Sequence, residues 1–213
     1  MPVVLHGPAY STYARTARLA LEEKGVAYEL NEVDIMKGAG ASADHLARHP
    51  WGKVPALEHD GFLLFETFAI ARYVDEAFPG PALQPADAKA RARMTQICGV
   101  VDSYAYKPMV HDVFIQAVFV PAGGGTTDAA VFSGGLEQAG KALDALESLV
   151  VESEGLCGGG GISLADIHLA PVLTYFTMVP QGAEALAQRP LLSAWWKRIG
   201  ERPSVVKTMP KLG

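Results

Sequence analysis

Apolar and polar positions change rhythm along this chain, and the change divides it in two. Val3-Val4-Leu5-His6 is a short apolar run stopped by Gly7-Pro8, which predicts a buried strand. From Ser11 to Glu23, Ala14, Ala17, Leu19, Ala20 and Leu21 supply the apolar side of a helix, and Gly25 is placed to end it in a left-handed conformation. Residues 27–33 alternate weakly, as a second strand would. A Gly/Ala/Ser segment over 37–43 leads into a short helix around Asp44 to Arg48. Val54-Pro55-Ala56-Leu57-Glu58 and Phe62-Leu63-Leu64-Phe65 flank Asp60-Gly61, a hairpin signal. Thr67 to Phe78 returns to a helical period through Phe68, Ala71, Val74 and Phe78.

The order β-α-β-α-β-β-α within about 80 residues predicts an α/β unit of thioredoxin-like order over residues 1–80. Residues 81–87, which include Gln84-Pro85-Ala86-Asp87, read as a linker and helix cap. Beyond them strand signals fade, and helical patterns run through 88–119, 128–152, 164–178 and 190–201, punctuated by Gly123-Gly124-Gly125 and the glycine run 158–161. Residues 88–213 therefore read as an all-α helical bundle. Lys107-Pro108 predicts a kink in the first of its helices, because proline removes a helix hydrogen bond.

Composition narrows the function classes. A chain of 213 residues with 49% hydrophobic and 19% charged residues suits a globule with a substantial core. A net charge of −5 without a basic stripe gives no support to nucleic-acid binding. Cys98 and Cys157 form no C-x-x-C pair or disulfide framework, which fits a reducing cytoplasm. The first residues lack a basic, apolar leader, and no apolar run reaches the ~18 residues of a membrane span. The six histidines show no metal-ligand spacing, so no metal site is expected.

Four short motifs in order carry a family resemblance: Ser11-x-x-x-Arg15 after the first strand, Gly52-Lys53-Val54-Pro55-Ala56-Leu57 before the hairpin, Glu66-Thr67 at the third helix, and Ser163-Leu164-Ala165-Asp166 in the helical half. Together they resemble the soluble glutathione transferases, most closely serine-type classes such as phi, theta and related bacterial forms. The resemblance spans nearly the whole chain. It implies glutathione as co-substrate, with no further cofactor, and a cis bond at Val54-Pro55. The Val54 backbone would pair with the cysteinyl unit of glutathione in the manner of an added strand. Thr67 and Glu66 would meet the γ-glutamyl carboxylate and ammonium at a helix N-terminus, where anions are favoured. Lys53 would hold the glycyl carboxylate, because the His-Lys pair of phi-type members is replaced here by Gly38-Ala39-Gly40-Ala41-Ser42; Lys37 and His45 are further candidates.

Chemistry is expected at Ser11. A thiol with a pKa of about 8.5 is mostly protonated at neutral pH, and a hydroxyl donating to sulfur at a helix start favours the thiolate. Thr12 takes that role if the helix begins one residue later. Arg15 would raise the local positive potential, or else form a surface or interdomain salt bridge. The resemblance also implies an electrophile pocket between the first helix and the bundle, with Tyr10, Tyr106, Met109, Val110, Phe114 and Tyr175 as walls. The same side chains suit an ordinary bundle core, and His111 is a titratable neighbour. Ser163 to Asp166 reads as a buried capping box stapled by Ile162 and Ile167, with a folding role. The resemblance also implies a two-fold homodimer, with Trp51 of the Pro-Trp-Gly loop either inserting into the partner's bundle or packing on its own. Expected are conjugation to small hydrophobic electrophiles, another glutathione-dependent reaction (peroxidase, isomerase, dehalogenase or disulfide-bond reductase), or a non-enzymatic interaction module; the motif set disfavours the last.

Overall fold

A computed structural model describes residues 2–151, 155–158 and 161–211. The chain divides into two compact units, Met1–Gln84 with Arg202–Gly213, and Pro85–Glu201. The C-terminal segment thus groups with the α/β unit, although its sequence pattern is helical.

In the first unit β1 (Val3–His6), α1 (Thr12–Glu23), β2 (Tyr28–Asn31), α2 (Ala43–Arg48), β3 (Ala56–His59), β4 (Phe62–Phe65) and α3 (Thr67–Ala77) follow in turn. The sheet order is β2-β1-β3-β4, with β1 parallel to β2 and antiparallel to β3. This is the thioredoxin-like arrangement. Asp60 and Gly61 have φ of 52° and 78°, the left-handed pair that a two-residue hairpin turn requires. Ala14, Ala17, Leu21, Ile70 and Val74 are buried where α1 packs on α3. α1 starts at Thr12 rather than Ser11, and β3 at Ala56 rather than Val54, because Ser11 is the cap and Pro55 cannot donate to a ladder.

The end of α1 shows why Gly25 stands there. Its φ is +67°, its N–H bonds the Glu22 carbonyl, and Val26 N–H reaches Leu21 C=O at 2.9 Å, which satisfies the last carbonyls of the helix. Lys24 beside it is buried and donates to Asp75 Oδ1 at 3.1 Å and to the Pro81 carbonyl at 3.0 Å. Asp75 also accepts from Leu83 N–H and from the Gln84 amide, so α1, α3 and the segment after α3 share one paired charge. The C-terminal segment is held to α1 in the same way. Arg202 and Ser204 both bond Glu23, and Lys207 bonds Glu22.

The helical unit opens on α4 (Ala88–Val100), capped by Asp87, and the helix runs on to Ala122 through Val101–Ala105, Lys107–Phe119 and α5 (Val120–Ala122). The turns from Val101 to Phe119 are wider than α: Tyr106 N–H bonds Val101 C=O and Val120 N–H bonds Ile115 C=O, both five residues back. The irregularity expected at Pro108 takes this form. Proline can donate neither an i−4 nor an i−5 bond and its ring crowds the i−4 carbonyl, so the regular α ladder cannot run through Pro108. One consequence is side-chain pairing at i,i+5, with Lys107 on Asp112 and Tyr106 on His111.

α6 (Ala129–Leu149), α7 (Leu164–Thr177), α8 (Pro180–Ala187) and α9 (Pro190–Gly200) complete this unit. α7 is buried at every position from Leu164 to Phe176, Asp166, His168 and Thr174 included, so it forms the core of the bundle rather than presenting one apolar face to it. α8 and α10 (Pro203–Lys207, in the first unit) were not anticipated. Both are short and open on proline, whose fixed φ and missing N–H suit a first helical position. Of the sequence expectations, Glu152 at the end of one helix and Gly159-Gly160 of the glycine run lie outside the described residues.

Two buried histidines of the first unit make its stability depend on pH. His6 and His49 are each 3% exposed, and burial lowers the pKa of both from 6.5; at His6 the Arg48 charge adds to the effect. The unfolded chain then takes up protons first, so stability is full above pH ~6.5 and is lost as pH falls towards the folded-state values. Unfolding midpoints in urea should drop between pH 7.5 and 5.5, and the drop should shrink in His49→Phe. Equal midpoints at the two pH values would rule this out.

Candidate functional site

Strand register places three sequence motifs at one end of the sheet. His6 stands opposite Ala56, and Ala56 opposite Phe65. The loop leaving β1 towards Ser11, the Val54-Pro55 step entering β3 and the Glu66-Thr67 step leaving β4 therefore lie side by side. Gly7 allows the close approach: a Cβ there would lie 3.1 Å from Ala14 Cβ and 3.4 Å from Val54 Cβ.

Ser11 is the half-buried N-cap of α1, and its hydroxyl oxygen accepts from Ala14 N–H at 3.2 Å. The hydroxyl hydrogen stays available to a further acceptor, and the positive end of the helix dipole adds to the attraction for an anion. Thr12 occupies the first helical position and is only 5% exposed, which separates it from Ser11. Tyr10 donates its hydroxyl to Asp34 at 3.2 Å. Burial, with the Asp34 carboxylate beside it, holds that phenol above its usual range. Asp34 in turn caps the tight turn Ile35–Lys37, so the Tyr10 ring is tied to the loop before α2. Arg15 is not on the surface. It is fully buried, with Nη2 3.6 Å from the Met209 thioether of the C-terminal segment.

The Val54–Pro55 peptide is cis. Val54 is 8% exposed, and none of the backbone hydrogen bonds among the described residues engages its N–H or C=O. Lys53 carries an exposed side chain, while its carbonyl lies 2.7 Å from His45 Nε2, which must carry the proton. Two loops meet behind it: Gly52 has φ +62°, and a Cβ there would lie 2.7 Å from the Gly40 carbonyl oxygen. The Gly/Ala/Ser segment is thus built to let one backbone lie against another.

Glu66 is exposed and has φ 72° and ψ 117°. A non-glycine residue held there costs about 1–3 kcal/mol, and such positions cluster at ligand clamps. Its side chain makes no capping bond to α3, so the N–H groups of the first turn are not satisfied from within Glu66. Thr67 follows as the first helical residue, 9% exposed. The arrangement suits a zwitterionic ligand end, with a carboxylate on the helix start and an ammonium against the Glu66 carboxylate.

Of the expected pocket walls in the helical unit, Met109, Val110, Phe114 and Tyr175 are buried, and the Phe114 and Tyr175 rings pack with centroids 4.6 Å apart. Tyr106 is half-buried, with its hydroxyl 3.2 Å from His111 Nε2. Trp51 is 68% exposed, with its ring edge-on to Phe65. Sequence reasoning missed the His45 bond to Lys53, the Gly40–Gly52 approach and the Tyr10–Asp34 bond. The spacing of the two glycines is the one sequence signal that points to any of them.

Comparison with known proteins bears on the family. Residues 1–76 match the family model described as glutathione S-transferase, N-terminal domain, and residues 110–203 the one described as glutathione S-transferase, C-terminal domain. Glutathione S-transferase F13 of Arabidopsis thaliana is 31% identical over 214 residues, covering 100% of this chain and 97% of the relative. Glutathione S-transferase 3 of Zea mays is 33% identical over 210 residues, covering 98% and 93%. Among solved structures, glutathione S-transferase I from mais in complex with an atrazine glutathione conjugate superposes with a TM-score of 0.84 at 31% identity, covering 98% of this chain and 96% of that one.

Proposed function

The chain belongs to the glutathione S-transferase family, and from that premise we propose that Ser11 steadies the thiolate of bound glutathione for attack on small hydrophobic electrophiles. The observation that carries this reading is the Ser11 hydroxyl. Its oxygen is committed to Ala14 N–H while its hydrogen is free to donate, at the same sheet end as the Val54 and Glu66 motifs. The sulfur of glutathione is the nucleophile. The protein's own thiols do not compete, because burial pushes Cys98 up and Cys157 up to about 11.

Val54 supplies backbone groups to the cysteinyl unit, Pro55 fixes the turn, Glu66 and Thr67 hold the γ-glutamyl end, and Lys53 takes the glycyl carboxylate. Arg15 contributes positive charge from beneath the first turn of α1. Tyr10, Tyr106, Met109, Val110, Phe114 and Tyr175 are assigned to the electrophile side, Tyr10 as a wall tied down by Asp34. Likeness to plant relatives supports the phi class, although no His-Lys pair stands in the loop before α2. The exposed Trp51 supports a two-fold homodimer, and two free, buried cysteines fit the cytoplasm.

The direct test is ultraviolet titration of the thiolate of glutathione bound to the native protein. A thiol pKa clearly below the free value of about 8.5 is expected. Binding with an unshifted thiol would remove the catalytic assignment, and absence of binding would leave an interaction module. Glu66→Ala is expected to weaken glutathione about tenfold, the size of one hydrogen bond to a charged group. Unchanged affinity by calorimetry would remove Glu66 from the site.

A further inference from the structure

We propose that His45 is a positioning residue for glutathione, holding the Lys53–Val54 backbone through its Nε2–H and braced by a chain of rings that ends beside Glu66. The inference rests on the reading that glutathione binds at Lys53, Val54 and Glu66. None of those motifs includes His45.

His45 enters from the first turn of α2, where its own N–H is capped by Ser42 Oγ at 3.2 Å. It is 2% exposed, and its Nε2 donates to the Lys53 carbonyl at 2.7 Å. That carbonyl belongs to the peptide whose N–H is Val54's own. A bond that fixes the carbonyl therefore fixes the plane of the same peptide, and with it the direction of the Val54 N–H offered to the ligand. It also fixes the backbone from which the Lys53 side chain departs. This matters more here because the loop before α2 brings glycine and alanine in place of a second cationic anchor.

The brace continues beyond His45. One helical turn on, the His49 ring stacks on His45 with centroids 6.4 Å apart and planes at 23°. His49 lies 5.0 Å from the Phe65 ring, and Phe65 immediately precedes Glu66. The His49 carbonyl accepts from Gly52 N–H at 2.8 Å, which closes the loop that carries Lys53. The Gly40–Gly52 approach supports that loop from the other side. Thus one turn of α2 links the segment assigned to the cysteinyl and glycyl units with the turn assigned to the γ-glutamyl end. A histidine kept only to fill space would not need a 2.7 Å bond to this carbonyl.

The test compares His45→Met, which keeps the volume and loses the donor, with His45→Gln, whose side-chain N–H reaches a similar distance. Read-outs are glutathione affinity by calorimetry, KM for glutathione against kcat at saturating glutathione, and the thermal midpoint. His45→Met should raise the dissociation constant and KM for glutathione about 3- to 10-fold, the worth of one neutral hydrogen bond, with kcat nearly unchanged. His45→Gln should restore most of the affinity. A His45→Met protein that melts earlier but binds glutathione as the native one does overturns the positioning role, as does a His45→Gln protein no better than His45→Met. If the native protein binds no glutathione, the underlying site reading fails and this inference with it. If Glu66→Ala weakens binding while His45→Met does not, only this inference fails.

Discussion

Asp166→Ala is expected to lower the unfolding free energy by about 3–5 kcal/mol. The side chain is fully buried, and four donors converge on its two oxygens. Oδ1 accepts from Leu156 N–H at 2.9 Å and from the Trp195 indole at 2.6 Å. Oδ2 accepts from Ser163 N–H and from the Ser163 hydroxyl, both at 2.7 Å. Burial pushes this carboxyl up from 3.8, while the four donors pull it back. Alanine would leave the start of α7, the Leu156 turn and the Trp195 indole without their acceptor inside the core. A domain is stable by only about 5–15 kcal/mol, so the thermal midpoint should fall by about 10 °C.

Asp166→Asn separates the hydrogen bonds from the packing. Whichever oxygen becomes NH2 faces two donors. The better choice turns the NH2 towards Ser163, whose hydroxyl can rotate to accept while its N–H cannot. Asparagine should therefore cost less than alanine but more than nothing. An alanine variant melting within about 2 °C of the native protein would show that the carboxylate is not what ties these elements together.

How far the sequence spoke depended on whether a signal was local. The Asp60-Gly61 turn, the Gly25 terminator and the Ser163–Asp166 box are written in adjacent residues, and each was legible because a turn or cap constrains its own neighbours. The same holds for the start of α3, where strand end, Glu66 and Thr67 are contiguous. Trp195 as the fourth donor to Asp166 was not legible, since the two are brought together by the packing of α7 and α9. Nor were the Lys24–Asp75 pair and the Arg202–Glu23 clamp, which join positions far apart in the chain. Pro108 locally signals a kink within a continuing helix, but the run of wide turns from Val101 to Phe119 extends far beyond its neighbours and was not legible. In the candidate site, the residues assigned to the ligand sit in short motifs, whereas the residues that support them, His45 in α2 and Asp34 and Gly40 before it, act on positions distant in the sequence.

Ser11→Ala should cut kcat/KM roughly 10- to 100-fold near pH 6.5 and progressively less above pH ~8.5. A hydrogen bond to a charged group is worth about 1.5–3 kcal/mol, and at 1.36 kcal/mol per unit its loss raises the thiol pKa by about 1–2 units. Below the native value that leaves about 10- to 100-fold less thiolate. Once the solution is alkaline enough to ionise glutathione unaided, the hydroxyl has little left to contribute, and the weaker-acid thiolate is if anything more nucleophilic. A rate ratio that narrows with pH is thus the signature of thiolate stabilisation. A ratio constant from pH 6 to 9 would mean that Ser11 acts on the geometry of the helix start instead. That second effect is present in some measure, because losing the bond to Ala14 N–H removes a cap worth about 1 kcal/mol. Ser11→Asp resolves the two. Its carboxylate can cap Ala14 and suits the helix dipole, so the fold should melt at or above the native temperature, yet its charge repels a thiolate. It should be less active than Ser11→Ala while being the more stable protein, a reversal that a purely structural role for Ser11 does not produce.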